Sequence, residues 1–322
     1  MNIFQIISEI EKVDPEVYDR LDSRRSIFKH MSGMGKKLSA AAIPLAFGAI
    51  LNKAYAQTPA GAGVGDVLNF ALSLEYLEMY FYKKGQGTAA LQAGFSASNQ
   101  TALNIITTDE VNHVKFLNAA ITAAKLTPVS DPGAAAFDFT GGKGSNAGPF
   151  ADVFVNPLTY LAVAQSLEDT GVRAYKGGAP LLLGSGDILT AALNIHSVEA
   201  RHASRLRTMR RGGPMSNTAS QGVAGSPNSA PKSWISGTDN GGASPTYTAA
   251  IYGKGNNTNA PTGVTFEAED NVTQGGVNLQ TALAALNFPA SAFSEAFDEA
   301  LDVTTVKTIA RTFVVSGSSF LM

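Results

Sequence analysis

Residues 107–117 read TTDEVNHVKFL and residues 198–202 read VEARH, so Glu110 and His113 stand three apart, as do Glu199 and His202. The chain has only four histidines, and two of them follow a glutamate at this interval. On a helix, side chains at i and i+3 lie one above the other on the same face, so each pair can offer an oxygen and a nitrogen to one ion. Both pairs interrupt apolar stripes: Leu103, Ile106, Glu110, His113, Leu117 in one segment, and Ile188, Ala192, Ile195, Glu199, His202, Leu206, Met209 in the other. Such stripes face a core, where a charged group persists only with a partner that offsets its burial.

Two more segments carry a glutamate with a tyrosine seven residues on: Glu75 with Tyr82, and Glu168 with Tyr175. Four carboxylates in an apolar core would repel one another and take up protons. Two divalent cations would offset the four negative charges, and two neutral imidazoles would complete the ligands. One Glu from each of two helices plus Glu-x-x-His from each of two others is the ligand pattern of a di-iron or di-manganese carboxylate centre. Oxygen and imidazole donors suit iron and manganese, with zinc as a redox-inert substitute. The expected ligands are therefore Glu75, Glu110, His113, Glu168, Glu199 and His202. Glu78 and His196 are further candidates. Glu75 is preferred to Glu78 because it keeps the seven-residue spacing to tyrosine, and His196 reads more simply as a structural residue. The plain alternative for the whole set is a polar core without metal.

Four helices must position these groups. The sequence predicts a first helix from a cap at Asp66 to a stop at Gly85, and a second from Ser96 or Ser98 to before Pro128. A third follows the Asn156-Pro157 start signal and ends at Gly177-Gly178; a fourth runs from Asp187 to Gly212-Gly213. Helices 1 and 2 are joined by a short loop, as are helices 3 and 4, and a long Gly/Ala/Pro-rich crossover links the two hairpins. Residues 213–322 turn to Gly, Ser, Asn, Thr and Pro with two short helical patterns near 290–301 and 303–315, and read as a loop-rich C-terminal extension packed on the bundle. The arginines of the fourth helix (Arg201, Arg205, Arg207, Arg210, Arg211) read as a solvated face near its C-terminus, and Glu267, Glu269, Glu295 and Glu299 as exposed.

Composition excludes several chemistries. There is no cysteine, so thiolate sites and disulfides are ruled out. A formal charge of -2 on 322 residues gives no reason to expect nucleic acid as a partner. Residues 1–56 read as an export signal: SRRSIFK (23–29), an apolar run LSAAAIPLAFGAIL (38–51), then AYAQ (54–57) with an A-x-A cleavage site. The apolar run is shorter than the roughly 20 residues that span a bilayer, so no stable membrane span is expected. Arg24-Arg25 resembles a twin-arginine signal, which implies a periplasmic or extracellular protein exported folded.

The four-helix ligand pattern across 66–212 resembles the ferritin-like superfamily. NFALSLEYLEMYFY, EDNVTQGGVN and AFDEAL are similar to the exported ferritin-like domain group that includes desiccation-related proteins. The resemblance implies an all-α, ferritin-like four-helix bundle with one long crossover at 57–212, holding two divalent metal ions. It also implies that Asp109, just before Glu110, orients His202, that Tyr82 bonds Glu168, and that Tyr175 bonds Glu75. Val198 departs from the Asp109 pattern, so the two metal positions need not be equal. Function is then expected to be that of an oxidoreductase acting on peroxide or dioxygen, catalase-like or ferroxidase-like. The rival readings are a non-catalytic metal-binding or stress-protective protein, and a scaffold whose tail is an interaction surface; homo-oligomerisation is left open.

Overall fold

The computed structural model describes residues 63–213, 231–256 and 265–321. The segment read as an export signal lies outside them, as does part of the Gly/Asn-rich stretch. Four long helices dominate: α1 (Val64–Gln86), α2 (Ala97–Ala123), α3 (Pro157–Gly178) and α4 (Gly186–Arg210). α1 packs mainly on α2 and α3 mainly on α4, and the two hairpins meet through α1 with α3 and α2 with α4. The bundle is all-α with one long crossover, as expected. Among the described residues no helix is long and apolar enough to cross a membrane.

Helix ends follow local chemistry. Ser96 caps α2 by accepting from the Asn99 amide, and Asn156 caps α3 by accepting from the Leu158 amide. α1 starts earlier than the expected cap: Gly63 is the N-cap, and Asp66 sits in the first turn, where its carboxylate accepts from the Gly63 amide at 3.0 Å. Gly85 is not a stop either. It lies inside α1, where a Cβ would come within 2.4 Å of the Tyr160 ring, so glycine is required for helix contact and not for termination.

The crossover is held by its own polar geometry. Asp138 is buried and accepts from the amides of Thr140 (3.1 Å), Gly144 (2.7 Å) and Asn146 (3.0 Å) and from the Thr140 hydroxyl (2.6 Å). Burial raises its carboxyl pKa, but these donors more than offset it and hold the group below its ordinary range. The crossover then pairs with the C-terminus through a bridge between Phe137 and Val314.

The C-terminal extension holds α5 (Pro245–Tyr252), a two-residue hairpin pairing Thr273 with Asn278 and Gln274 with Val277, and α6 (Val303–Ala310). Gly275 and Gly276 both take positive φ, which suits the tight turn joining these strands. The extension is sewn onto α3 by Arg173. This fully buried guanidinium donates to the carbonyls of Ile251, Gly253, Glu267, Glu299 and Ala300 and pairs with Glu269 at 2.9 Å.

The packed extension corrects two expectations, the exposure of its glutamates and that of the α4 arginines. Glu269 is buried, because Arg173 and the Glu299 amide receive it; burial still lifts its pKa to about 8. Glu295 is buried too, bonded by Lys232, Trp234 and Ser236. Nor is the arginine run of α4 solvated throughout: Arg201 is exposed and Arg205 half-buried, but the C-terminal end is not. Arg207, Arg210 and Arg211 are buried. Arg207 pairs with Asp169 at 2.5 Å and Asp239 at 3.0 Å, Arg210 bonds Gln165, and Arg211 bonds the Pro231 carbonyl. The extension covers the C-terminal end of α4.

Replacing Arg173 by Met should leave Glu269 and the carbonyls without their donor. Breaking a buried pair from one side costs about 3–5 kcal/mol. Urea denaturation should show a loss of that size, and residues 231–321 should be cut faster by protease. Unchanged protease resistance would show that other contacts hold the extension.

Candidate metal centre

Each long helix contributes to one buried cluster. α1 brings Glu75, α2 brings Glu110 and His113, α3 brings Glu168, and α4 brings Glu199 and His202. All four glutamates are fully buried, and the histidine side chains are only 10% and 6% exposed. The six residues inferred from spacing thus converge in one place.

They fall into two overlapping sets, Glu75, Glu110, His113, Glu199 and Glu110, Glu168, Glu199, His202, whose ligand atoms lie within 4.8 Å of one another. Glu110 and Glu199 belong to both. Glu75 with His113, and Glu168 with His202, belong to one each. Both sets could hold a metal ion.

Interatomic geometry tests that fit. His113 Nδ1 is 3.2 Å from Glu75 Oε2, 3.3 Å from Glu110 Oε2 and 3.3 Å from Glu199 Oε1. His202 Nδ1 is 3.0 Å from Glu110 Oε1 and 3.2 Å from Glu168 Oε2. One ring N–H cannot serve three oxygens at once. Adjacent donor atoms held about 2.0–2.2 Å from a common ion stand about 3 Å apart, a spacing that matches the one found here. Glu110 Oε1 and both Glu199 oxygens are buried with no hydrogen-bond partner. The imidazole nitrogens nearest Glu110 Oε1 and Glu199 Oε1 lie close but off hydrogen-bond geometry. Orphaned carboxylate oxygens at the shared positions fit a bridging cation.

Electrostatics point the same way. Burial pushes the Glu199 carboxyl well up, and the charges of Glu110 and Glu168 push it further. Burial also raises Glu168, with His202 opposing it. Burial by itself would lower both imidazoles, yet the surrounding carboxylates more than offset it. They raise His113 and push His202 up to about 12. Without a cation the cluster holds protons that a metal would displace.

The supporting hydrogen bonds follow the expected crossed pattern. Tyr82 on α1 donates to Glu168 Oε1 on α3, and Tyr175 on α3 donates to Glu75 Oε1 on α1. Asp109 Oδ2 is 3.1 Å from His202 Nε2, so a ring N–H there leaves Nδ1 free to face the carboxylates. At the matching position α4 has Val198, which offers His113 no such anchor.

Of the remaining candidates, His196 stands apart: its Nδ1 faces the Val172 carbonyl at 3.0 Å, and it joins neither ligand set. Glu78 is 3% exposed and lies beside the cluster but outside both sets. Two contributors escaped the sequence reading. Asp169, next to Glu168, is clamped by Arg207, Tyr252 and Gln165 and fixes that stretch of α3 against α4 and the extension. Gly171 borders the cluster, where a Cβ would lie 3.1 Å from Glu199 Oε2 and 3.4 Å from Glu78 Oε1. Its position three residues after Glu168 was the available signal.

Residues 63–211 match the family described as a ferritin-like domain. No curated protein and no solved structure matches the chain. The crossed hairpins, the paired Glu-x-x-His helices and the family match agree: the segment 63–211 of this chain is a ferritin-like domain with a buried acidic and histidine cluster suited to metal.

Proposed function

We propose that this protein is a dinuclear iron or manganese oxidoreductase acting on peroxide or dioxygen. The observation that carries the reading is the overlap of two four-residue ligand sets at Glu110 and Glu199. A pair of redox metals bridged there would supply reversible one-electron steps to a small oxygen-derived substrate. Glu75 with His113 would hold one ion and Glu168 with His202 the other. Tyr82 and Tyr175 keep one oxygen of each terminal carboxylate engaged, so the other oxygen faces the centre. Asp109 holds the ring of His202 and fixes its tautomer.

The four ligand-set glutamates are fully buried away from bulk water. The slight exposure of His113 and His202, beside the 37% exposed Asp109 side chain, leaves approach along the α2–α4 seam to small molecules. Export is part of the proposal and rests on the SRRSIFK and AYAQ segments. The tightness of the cluster also supports a second reading, a non-catalytic metal-binding protein with a protective role.

The purified full chain should contain two iron or manganese ions by elemental analysis and should decompose peroxide or oxidise Fe(II). Bound metal without turnover would favour the second reading, and a chain that takes up no divalent metal would sink both.

Shared and terminal ligands should behave differently. Glu110→Gln should abolish binding of both ions, whereas Glu168→Gln should weaken one and spare the other. Equal losses from the two variants would refute the bridging assignment. Asp109→Asn should lower metal affinity by about 10–100-fold.

Because the imidazoles hold protons in the metal-free cluster, uptake should release protons and affinity should rise with pH. Calorimetric titrations in buffers of different ionisation enthalpy measure that release, and a buffer-independent heat would contradict it.

A further inference from the structure

The N-terminal half of α1 is apolar on two faces. Leu68, Leu72 and Met79 pack into the bundle core. Val67, Phe70, Ala71 and Leu74 form a second stripe at positions i, i+3, i+4 and i+7. An apolar stripe is stable when something covers it, yet Val67, Phe70 and Ala71 are only half-buried. All four residues line a cavity of about 760 Å³.

The other walls come from distant parts of the chain: Phe116 of α2, Val129 of the crossover, Ile188 of α4 and Phe320 near the C-terminus. Phe116 and Val303, both large apolar side chains left exposed, belong to the same lining. Mostly apolar cavities of roughly 300–1,000 Å³ are the usual sites of small organic ligands. The stripe on α1 runs for about 10 Å along the helix, which suits an elongated molecule. Tyr175 also lines the cavity, and its hydroxyl donates to Glu75 Oε1. None of the six expected metal ligands lines it, so this space is separate from the candidate metal centre.

The polar groups of the lining decide what head group it accepts. Its charged residues are Asp66, Asp131 and Lys307. Asp66 receives the Gly63 amide at 3.0 Å. Asp131 receives the Tyr80 hydroxyl and the Gly133 amide, each at 2.8 Å, and Lys307 is engaged as well. Two further polar side chains of the lining are occupied: Ser73 donates to the Asn69 carbonyl, and the Asn69 amide bridges Thr127 and Val129. A charged head drawn in here would lose water with each opposite charge already committed elsewhere. A hydroxyl needs only a partner such as Ser130, Ser318 or Ser319, whose side chains can both donate and accept.

We propose that this cavity binds a neutral, elongated aliphatic molecule of the long-chain alcohol class, with its chain laid along the Val67–Leu74 stripe. The proposal stands apart from the metal reading, since no part of it requires an ion.

Nile red, a neutral dye that brightens in apolar surroundings, tests this on the metal-free full chain. The dye should bind saturably, one per chain. Decanol should displace it at concentrations about tenfold or more below those needed of decanoate or decyltrimethylammonium, whose charged heads must be desolvated. Ala71→Trp should fill the space and abolish dye binding with the helical circular dichroism unchanged. Val303→Asp changes an exposed wall position in the first turn of α6, where an acid is compatible with the helix; it should weaken dye binding, and it decides the matter if Ala71→Trp does not fold. Dye binding that does not saturate, a charged amphiphile that displaces as well as decanol, or wild-type dye affinity in Val303→Asp would overturn the proposal. With no metal present, each of these outcomes leaves the dinuclear reading untouched.

Discussion

Mutual repulsion among carboxylates confined away from water is the constraint on which this bundle depends. Glu75, Glu110, Glu168 and Glu199 are fully buried, and their ligand atoms stand within 4.8 Å of their neighbours in each set. At an effective dielectric of about 20, two like charges about 4 Å apart repel by about 4 kcal/mol. Several such pairs exceed the whole net stability of a domain, about 5–15 kcal/mol. The four groups therefore cannot all be ionised without cations among them. Protons are the weak solution, visible in the raised Glu168 and Glu199 carboxyls and both imidazoles; divalent metal would be the strong one, since it would also engage oxygens that no hydrogen bond reaches.

The architecture answers that constraint by symmetry. Two hairpins of similar design meet so that each supplies a Glu-x-x-His helix and a Glu-x6-Tyr helix, and each tyrosine steadies a glutamate of the other hairpin. Crossed hydrogen bonds make the hairpins interdependent, because neither can withdraw without unpairing a buried carboxylate. Departures from the symmetry are local and chemical: Asp109 against Val198, and Glu78 against Gly171. They fall at the centre itself, so the two overlapping residue sets have unequal surroundings.

Around the bundle, a second polar framework fixes the ligand helices from outside. Arg173 and Arg207, both buried, tie α3 and α4 to the extension through backbone carbonyls, Glu269, Asp169 and Asp239. Asp169 follows Glu168 directly, so the clamp that holds the cover also sets the rotation of α3 about its axis. A rotation of one residue would carry Glu168 out of the centre, since successive side chains on a helix point about 100° apart. The extension is in this sense part of the site's support.

What the sequence determined alone is what helix geometry makes local. Spacings of three and seven residues place Glu110 over His113, Glu199 over His202, and each ligand glutamate over its tyrosine, whatever the rest of the chain does. The amphipathic stripes then oblige those faces to turn inward, so the fold class and the clustering of these six residues are legible from spacing and periodicity. Only the tertiary structure decided which glutamates are shared and which are terminal, because that depends on how four separate axes meet. It also decided that Arg207, Arg210 and Arg211 are buried and that Glu269 and Glu295 are enclosed, since the groups that cover them come from distant segments with no periodic signal. Gly171 belongs to the same class: a missing side chain has meaning only once Glu78 and Glu199 are seen on either side of it.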